Sequence, residues 1–201
     1  MNTVLVEKDA IEDVASLVEA NQVVAFPTET VFGLGVKFGS YEALNELYKL
    51  KHRDRQKAIS MMISNPQDIE KYAYIDDNAK KIIKAFMPGM ITIILKKRLF
   101  IDDYFTSSLD TIGIRIPDDK FVLRLLEKTG PMLVTSANLS GEDSLVDDKA
   151  VKRVFDGKIP IIVKGESISK KASTIVDLSK GKVEILRVGD ISKEEIMEVI
   201  K

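Results

Sequence analysis

The chain has 201 residues, 45% hydrophobic and 30% charged, with a formal net charge of −1. This is enough apolar material for a substantial core, and it is the profile of neither a disordered chain nor a polycation built to coat nucleic acid. Cysteine is absent and His52 is the only histidine, which removes disulfides, thiolate nucleophiles, Cys-ligated zinc and multi-histidine metal sites together.

No run of about 18 apolar residues marks a membrane span. The N-terminus lacks a basic head followed by an apolar stretch, so no secretory signal is visible and the cytoplasm is the expected compartment. No repeat, low-complexity tract or linker rich in Gly, Ser or Pro divides the chain. Residues 1–201 are therefore expected to form one domain.

In chain order, Val4–Val6 reads as a short strand. Asp9, with Glu12 three residues on, reads as the N-cap of a helix whose apolar positions are Ile11, Val14, Ala15 and Val18. Residues 23–26 form an apolar strand stopped by Pro27. In the segment that follows, Gly33 and Gly35 serve either close backbone approach to a ligand or a turn. Residues 40–50 suit a helix with Leu44, Leu47 and Tyr48 on one face, 59–63 a strand, and Asn65-Pro66 the start of a short helix. A helix over 77–87 ends at Pro88-Gly89, and 91–95 is a buried strand. Residues 98–110 are expected to be an irregular polar loop.

A strand over 112–116 ends at Pro117, a helix covers 119–128, and a strand over 132–135 runs into Ser136-Ala137-Asn138. A helix over 147–155 and strands over 159–163, 174–176 and 183–186 follow. Ser192 with Glu195 forms a capping box on the last helix, with Ile191 and Ile196 as its staple. Strands alternating with helices specify an α/β layered fold, and the cluster of late strands without long helices between them points to a mixed sheet.

Four places carry more polar groups than local structure needs. Thr28 and Thr30 follow a strand, where hydroxyls commonly cap the next element. The run from Lys49 to Lys57 begins where cations complement the end of the 40–50 helix, but continues too densely beyond it; the surplus suits a polyphosphate. His52 reads as a surface member of that run, since nothing in the sequence supplies an orienting partner. Arg115 sits inside an apolar strand and either crosses the core to a carboxylate or points into a ligand pocket. Ser136 to Gly141 either holds phosphate or ribose oxygens or forms an Asx turn.

Together these segments resemble the threonylcarbamoyl-AMP synthase family (YrdC/TsaC-like). The run from Val24 through Pro27-Thr28-Glu29-Thr30 to Gly33-Leu34-Gly35 is similar to its opening signature. Lys51-His52-Arg53 is similar to its Lys-x-Arg motif, and Ser136-Ala137-Asn138 to its Ser-x-Asn motif. Met87-Pro88-Gly89-Met90-Ile91-Thr92 resembles its Trp-Pro-Gly-Pro-x-Thr segment. Residues 109–117, Ala172-Ser173-Thr174-Ile175-Val176-Asp177 and Leu186-Arg187-Val188-Gly189 follow in the family's order. The likeness runs from about Val4 to the end.

The resemblance implies a twisted mixed parallel and antiparallel sheet flanked by helices around a large concave pocket. It implies a nucleotidyltransferase joining L-threonine, bicarbonate and ATP into threonylcarbamoyl-adenylate and pyrophosphate. Downstream machinery, a separate transferase, would place the group on adenosine 37 of ANN-decoding tRNAs. The carbamate is itself the nucleophile, so the lack of Cys and the single His fit a site that works by positioning and electrostatics.

Position by position, the resemblance places Thr28 and Ser173 at the threonine, with the backbone near Val134 beside it. Lys51 and Arg53 would bind carboxylate and phosphates between them, with Lys57 helping. Arg115 would hold the substrate's carboxylate or carbamate. Thr111, Ser136, Asn138, Ser144 and Arg187 would serve the nucleotide. Mg2+ is expected with ATP, with no dedicated carboxylate cage and no protein metal ligand. Arg53→Ala and Arg115→Ala are expected to remove activity and spare the fold, because each deletes a pocket charge rather than core volume.

The sequence departs from the family at Asp54, where proline is common, at Met62, where many members have histidine, and over 139–144, which lacks the usual prolines. The chain ends soon after Arg187, which leads to the expectation of the short form. A non-catalytic module for double-stranded RNA or tRNA is the alternative reading of such a concave face. A carbamoyl-adenylate domain of the hydrogenase-maturation kind is a third, disfavoured because its usual fusion partners have no counterpart here.

Overall fold

Among the described residues ten short strands, most of them runs of aliphatic and β-branched residues, hydrogen-bond into a single sheet. The computed structural model describes residues 2–201. The strands are β1 (Val4–Val6), β2 (Val24–Phe26), β3 (Gly33–Lys37), β4 (Ser60–Met62), β5 (Ile91–Lys96), β6 (Thr111–Arg115), β7 (Met132–Ser136), β8 (Ile161–Val163), β9 (Thr174–Asp177) and β10 (Glu184–Arg187). Their order is β1-β8-β2-β3-β7-β4-β6-β5-β9-β10. The pairs β1–β8, β2–β8, β4–β6 and β5–β9 are parallel and the rest antiparallel, so the sheet is mixed as expected.

Seven α-helices flank it: α1 (Ile11–Glu19), α2 (Tyr41–Leu50), α3 (Ile69–Tyr72), α4 (Asp77–Phe86), α5 (Lys120–Thr129), α6 (Asp148–Phe155) and α7 (Lys193–Ile200). Side chains cap five of them, through Ser40, Asp76, Asp119, Asp147 and Ser192, and the Ser192–Glu195 capping box forms. Helix α1 differs from expectation. A turn closed by Ala10 N–H donating to the Glu7 carbonyl carries the chain past Asp9, so Ala10 takes the cap position with no side-chain cap bond. The buried face of Ile11, Val14, Ala15 and Val18 holds this helix instead.

Two other expectations change. Residues 98–110 are not simply a polar loop. Ile101, Phe105 and Thr106 are buried, a 3-10 turn covers Asp103–Thr106, and buried Lys97 donates to the Ile101 carbonyl and pairs with Asp103. Gly33 and Gly35 lie in strand β3 rather than in a turn. A Cβ on Gly35 would stand 2.8 Å from Met132 Cε and 2.9 Å from Phe26 Cε1, so the glycine leaves room for the Phe26 ring against the sheet.

The alternation of side chains across the strands assigns each face its cover. On one face Ala25, Leu34, Val36, Met61, Leu133, Ile93 and Ile114 join the buried cluster that includes residues of α2, α4, α6 and α7. On the other, Val24, Phe26, Met132, Val134 and Met62 pack with α1 and α5. Beyond Val134 and Met62 this second face turns small and polar. A Cβ built on Gly113 would meet Ser60 Oγ at 2.9 Å and Thr92 Cγ2 at 3.5 Å, so these three share it, and Arg115 lies two residues along the same strand. Apolar cover has nothing to bury there, and the sheet is left with a concave, uncovered end. Among the described residues no helix is long and apolar enough to cross a membrane.

One wall of that end is closed by backbone contact. A Cβ on Gly189 would stand 2.3 Å from the Ala172 carbonyl oxygen and 2.8 Å from the Thr174 nitrogen, and the Gly189 N–H donates to Thr174 Oγ1 at 2.8 Å. Only backbone is available to yield. Gly189→Ala is therefore expected to destabilise the protein by about 1–3 kcal/mol, read as a lower urea midpoint with the slope unchanged. An unshifted midpoint would mean the chain does not pass this close to the 172–174 wall.

Candidate functional site

The uncovered end of the sheet is an open cavity with about 740 Å³ of empty space, its mouth included. Its lining comes from distant parts of the chain. The turn after β2 brings Thr28 and Thr30, strands β4 and β5 bring Ser60 and Thr92, and the end of β7 brings Ser136. Ser173 stands just before β9. Three guanidinium groups, those of Arg53, Arg115 and Arg187, line the same cavity, with Met62, Val134 and Ile175 as apolar surface.

The hydroxyls are tied into the wall. Thr28 Oγ1 donates to the Val31 carbonyl at 2.7 Å, lies 2.9 Å from Thr30 Oγ1 and accepts the Thr30 N–H. The capping role expected of it is thus a tight local turn, and that turn sets both buried threonines in the cavity wall. Ser173 Oγ lies 2.8 Å from Thr92 Oγ1, and Arg187 Nε–H donates to the Ser173 carbonyl at 2.9 Å.

Arg115 resolves the two readings left open for it by combining them. Its NH2 donates to Glu29 Oε1 at 2.6 Å, with both side chains buried, while the residue also lines the cavity. Glu29 Oε1 accepts the Asp118 N–H as well, at 3.1 Å. Among the described residues nothing partners Glu29 Oε2 or Arg115 Nε, although both atoms are buried. The guanidinium is therefore gripped at one nitrogen and otherwise left with donor capacity to spare. Arg187 stands at the exposed mouth. Desolvation of its inner side, and then the Arg115 charge, lower its pKa, although an arginine stays charged at any working pH.

The dense cation run does not form one patch. Lys49 pairs with Glu46, and Arg55 lies over the rings of Tyr48 and Tyr104. His52 and Lys57 are exposed. Lys51 is almost wholly buried, at 1% exposure, and does not line the cavity. Its ammonium donates to the Ser136 and Asn138 carbonyls and to Asn138 Oδ1 at 3.2 Å. Burial, and secondarily the Arg53 charge, push its pKa down to about 8. From this run only Arg53 reaches the cavity. Its loop is shaped by an Asx turn at Asp54, whose Oδ1 accepts the Gln56 N–H at 2.9 Å and whose carbonyl accepts the Lys57 N–H at 3.0 Å. Asp54 thus closes by hydrogen bonds a bend that a proline would fix by its ring.

Of the residues singled out in the sequence, Thr28, Arg53, Arg115, Val134, Ser136, Ser173 and Arg187 converge on the cavity. Lys51, Lys57, Thr111, Asn138 and Ser144 do not line it. The Asn138 side chain is consumed locally. Its Oδ1 accepts from Lys51 and from Ser136 Oγ, and its Nδ2 donates to the Leu139 and Glu142 carbonyls at 2.8 Å each. Thr111 lies on the cavity side of β6 but at the far end of the strand from Arg115. Sequence reading left Ser60 unmentioned and gave Thr30, Thr92 and Glu29 no site role beyond a cap or a place in a motif. The available signal was period-two alternation, which puts Ser60 with Met62 and Gly113 with Arg115 on one face.

A protein-held magnesium does not fit this donor set. Among the described residues no three His, Cys, Asp or Glu side chains cluster as a metal site. The carboxylate beside the cavity, Glu29, is engaged by Arg115 and the Asp118 N–H.

Comparison with known proteins places the geometry. The profile of the Sua5/YciO/YrdC family, described as "Telomere recombination", matches residues 16–189. The chain belongs to this family. A putative threonylcarbamoyl-AMP synthase from Methanocaldococcus jannaschii is 38% identical over 137 residues, 68% of this chain and 64% of that protein. Another from Mycobacterium tuberculosis is 31% identical over 91% of this chain and 85% of its own length. The crystal structure of P. abyssi Sua5 complexed with L-threonine superposes with a TM-score of 0.94 at 32% identity, covering 98% of this chain and 61% of that one. The chain thus spans under two thirds of the M. jannaschii and P. abyssi proteins.

Two outcomes follow from the buried charges. Arg115→Ala is not the harmless pocket edit expected from sequence, because it strands Glu29 in the interior. It should lower unfolding free energy by about 3–5 kcal/mol, and adding Glu29→Gln should recover part of the loss in denaturant titrations. Independent, additive losses would show that the two side chains do not interact. For Lys51, raising the pH through about 8 removes a positive charge behind Ser136 and leaves a neutral amine with two N–H donors for its three acceptors. Affinity of the cavity for sulfate, fully ionised over this range, should fall several-fold between pH 7.5 and 9 in calorimetric titrations. A flat profile would mean the ammonium keeps its proton throughout.

Proposed function

We propose that this chain is an L-threonylcarbamoyladenylate synthase, forming threonylcarbamoyl-AMP and pyrophosphate from L-threonine, bicarbonate and ATP. The observation that carries the reading is the convergence of Arg53, Arg115 and Arg187 with a ring of hydroxyls in one cavity. The names of the relatives and the threonine in the P. abyssi complex support the same chemistry.

In this reading the neutral threonine amine adds to bicarbonate and releases water, leaving a carbamate. A carbamate oxygen then attacks the α-phosphorus of ATP, and pyrophosphate departs with the P–O bonding pair. Each species is an anion, so the site needs directed positive charge rather than a protein nucleophile. Arg115, oriented by Glu29, suits the carboxylate or carbamate of the amino acid. Arg53 and Arg187 suit the phosphates, arginine's planar fork matching pairs of oxygens. Thr30 and Ser173 offer hydroxyl oxygens for the amino acid, Thr28 serves through the turn that presents Thr30, and Val134 and Met62 give an apolar surface for the substrate's methyl group. Lys51 and Asn138 then act from behind the wall, shaping the Ser136 turn, while Lys57, Thr111 and Ser144 lie outside the cavity and contribute at most to its approaches.

We assign Mg2+, if used, to the nucleotide's own phosphates. The product's consumer would be a transferase acting on adenosine 37 of tRNA, which places the reaction in the cytoplasm. We assign the cavity and its chemistry to one catalytic domain.

Pyrophosphate release should require L-threonine, bicarbonate and ATP together and vanish when any one is omitted. Arg53→Ala, which removes a half-buried loop residue, should lower kcat/KM by about a hundredfold or more with an unchanged melting curve. Pyrophosphate release without threonine, or Arg53→Ala turnover near that of the native chain, would overturn the reading.

A further inference from the structure

The loop that delivers Arg53 has little core of its own. Between buried Lys51 and buried Ile59 every residue is exposed or half-buried. Arg53 folds back onto the loop, its Nε–H donating to the Lys57 carbonyl at 3.0 Å and its NH2 to the Ala58 carbonyl at 3.0 Å. What fixes the Arg53 head is therefore what fixes those two carbonyls.

The loop is fastened to the body by Arg55. Its guanidinium carbon lies 4.4 Å from the Tyr48 ring centroid and 4.0 Å from that of Tyr104, and its NH2 donates to the Tyr104 carbonyl at 3.3 Å. Its NH1 is buried and finds no hydrogen-bond partner among the described residues. A cation that gives up a hydrogen bond for two ring faces is held by those faces. Tyr48 makes the link to the cavity. Its hydroxyl donates to the Lys57 carbonyl at 2.9 Å, the same oxygen that receives Arg53 Nε–H. Tyr48 itself is buried on α2, and Tyr104 sits in the 3-10 turn braced by Lys97 and Asp103, so both rings stand on ordered elements.

We propose that Arg55 is a positioning residue. Clamped between Tyr48 and Tyr104, it sets the 52–58 loop, and through the Lys57 carbonyl it aims the Arg53 guanidinium into the cavity without touching substrate. The inference rests on the proposed role of Arg53 toward phosphates and adds what makes that role possible on an otherwise loosely anchored loop. The arrangement suits a loop carrying Asp54 in place of a rigid proline, because an Asx turn alone leaves the segment free to swing as a unit.

The test uses the full chain and two readouts, the ATP dissociation constant by calorimetry and the KM–kcat split of pyrophosphate release. Arg55→Met keeps the aliphatic stem and loses the cation. It should weaken ATP binding and raise the KM for ATP about tenfold, with kcat less affected and the melting curve near that of the native chain. Tyr104→Phe keeps the ring face and should behave like the native protein, whereas Tyr104→Leu should reproduce the Arg55→Met defect. Should Arg55→Met fail to fold, Arg55→Lys, which keeps the charge without the stacking plane, carries the same expectation in weaker form. In an Arg53→Ala background, Arg55→Met should cost nothing further.

Native ATP affinity in Arg55→Met, or an additive loss on top of Arg53→Ala, would overturn the clamp. A native chain that binds ATP but releases no pyrophosphate would overturn the proposed reaction instead, leaving the clamp to be judged on binding alone. A native chain with no ATP affinity would overturn both.

Discussion

A sheet with apolar side chains on both faces must be covered on both, and this one is covered on one and a half. Helices pack along the whole of one face, whereas α1 and α5 cover the other only as far as Val134 and Met62. Past that line the inward positions are Gly113, Ser60, Thr92 and Arg115, which offer a helix nothing to bury and one charge it could not tolerate. The missing cover and the cavity are the same physical fact. An apolar substitution in that row would begin to rebuild a core where a ligand is meant to lie.

The second constraint is electrostatic. Three guanidinium groups in a partly dry cavity repel one another, and Glu29 offsets only one of them, from behind the wall. A buried pair of this kind is costly to form and contributes little net stability, yet it fixes direction. Arg115 is gripped at one nitrogen, so its remaining donors are already desolvated and held in one direction, with little reorganisation left to make. The unused acceptor at Glu29 Oε2 and donor at Arg115 Nε are what this geometry gives up. Two of the three guanidinium charges have no carboxylate partner, which is positive charge that an anionic ligand would balance.

Most of the fold was legible because apolar periodicity and capping residues are local properties. Ser40, Asp76, Asp119, Asp147 and Ser192 all sit where the sequence alone would start a helix. What was not legible depended on partners far along the chain. Strand β3 hid behind two glycines whose reason is the Phe26 ring, and the 98–110 segment looked polar because its organiser, Lys97, is a buried cation. Asp9 carried every local mark of an N-cap and lost the position to a turn one residue later. At the site, Thr28, Arg53, Arg115, Ser136 and Ser173 could be named from motifs. Glu29 could not be given its job, because a carboxylate inside a turn shows its partner, 86 positions away, only when β6 is laid beside it.

The motifs themselves divide in a way that ordered similarity cannot reveal. In Lys51-His52-Arg53 one residue is a strut, one an exposed residue and one a cavity group. Lys51 spends all its recorded hydrogen bonds on the Ser136–Asn138 turn, and Asn138 spends its amide on the same turn and the loop after it. The two motifs therefore meet each other before they meet a ligand: the cation of one satisfies the carbonyls that end the strand of the other. Arg53 follows that joint in the chain, and its Nε–H shares the Lys57 carbonyl with the Tyr48 hydroxyl. A residue in such a pair is retained by its role in building the wall, so its loss would register first in the placement of Ser136 and Arg53 and only through them in chemistry. The reach of a motif is thus set by what its side chains have left to offer after the fold has used them, and here that remainder is one arginine, one serine and the backbone between them.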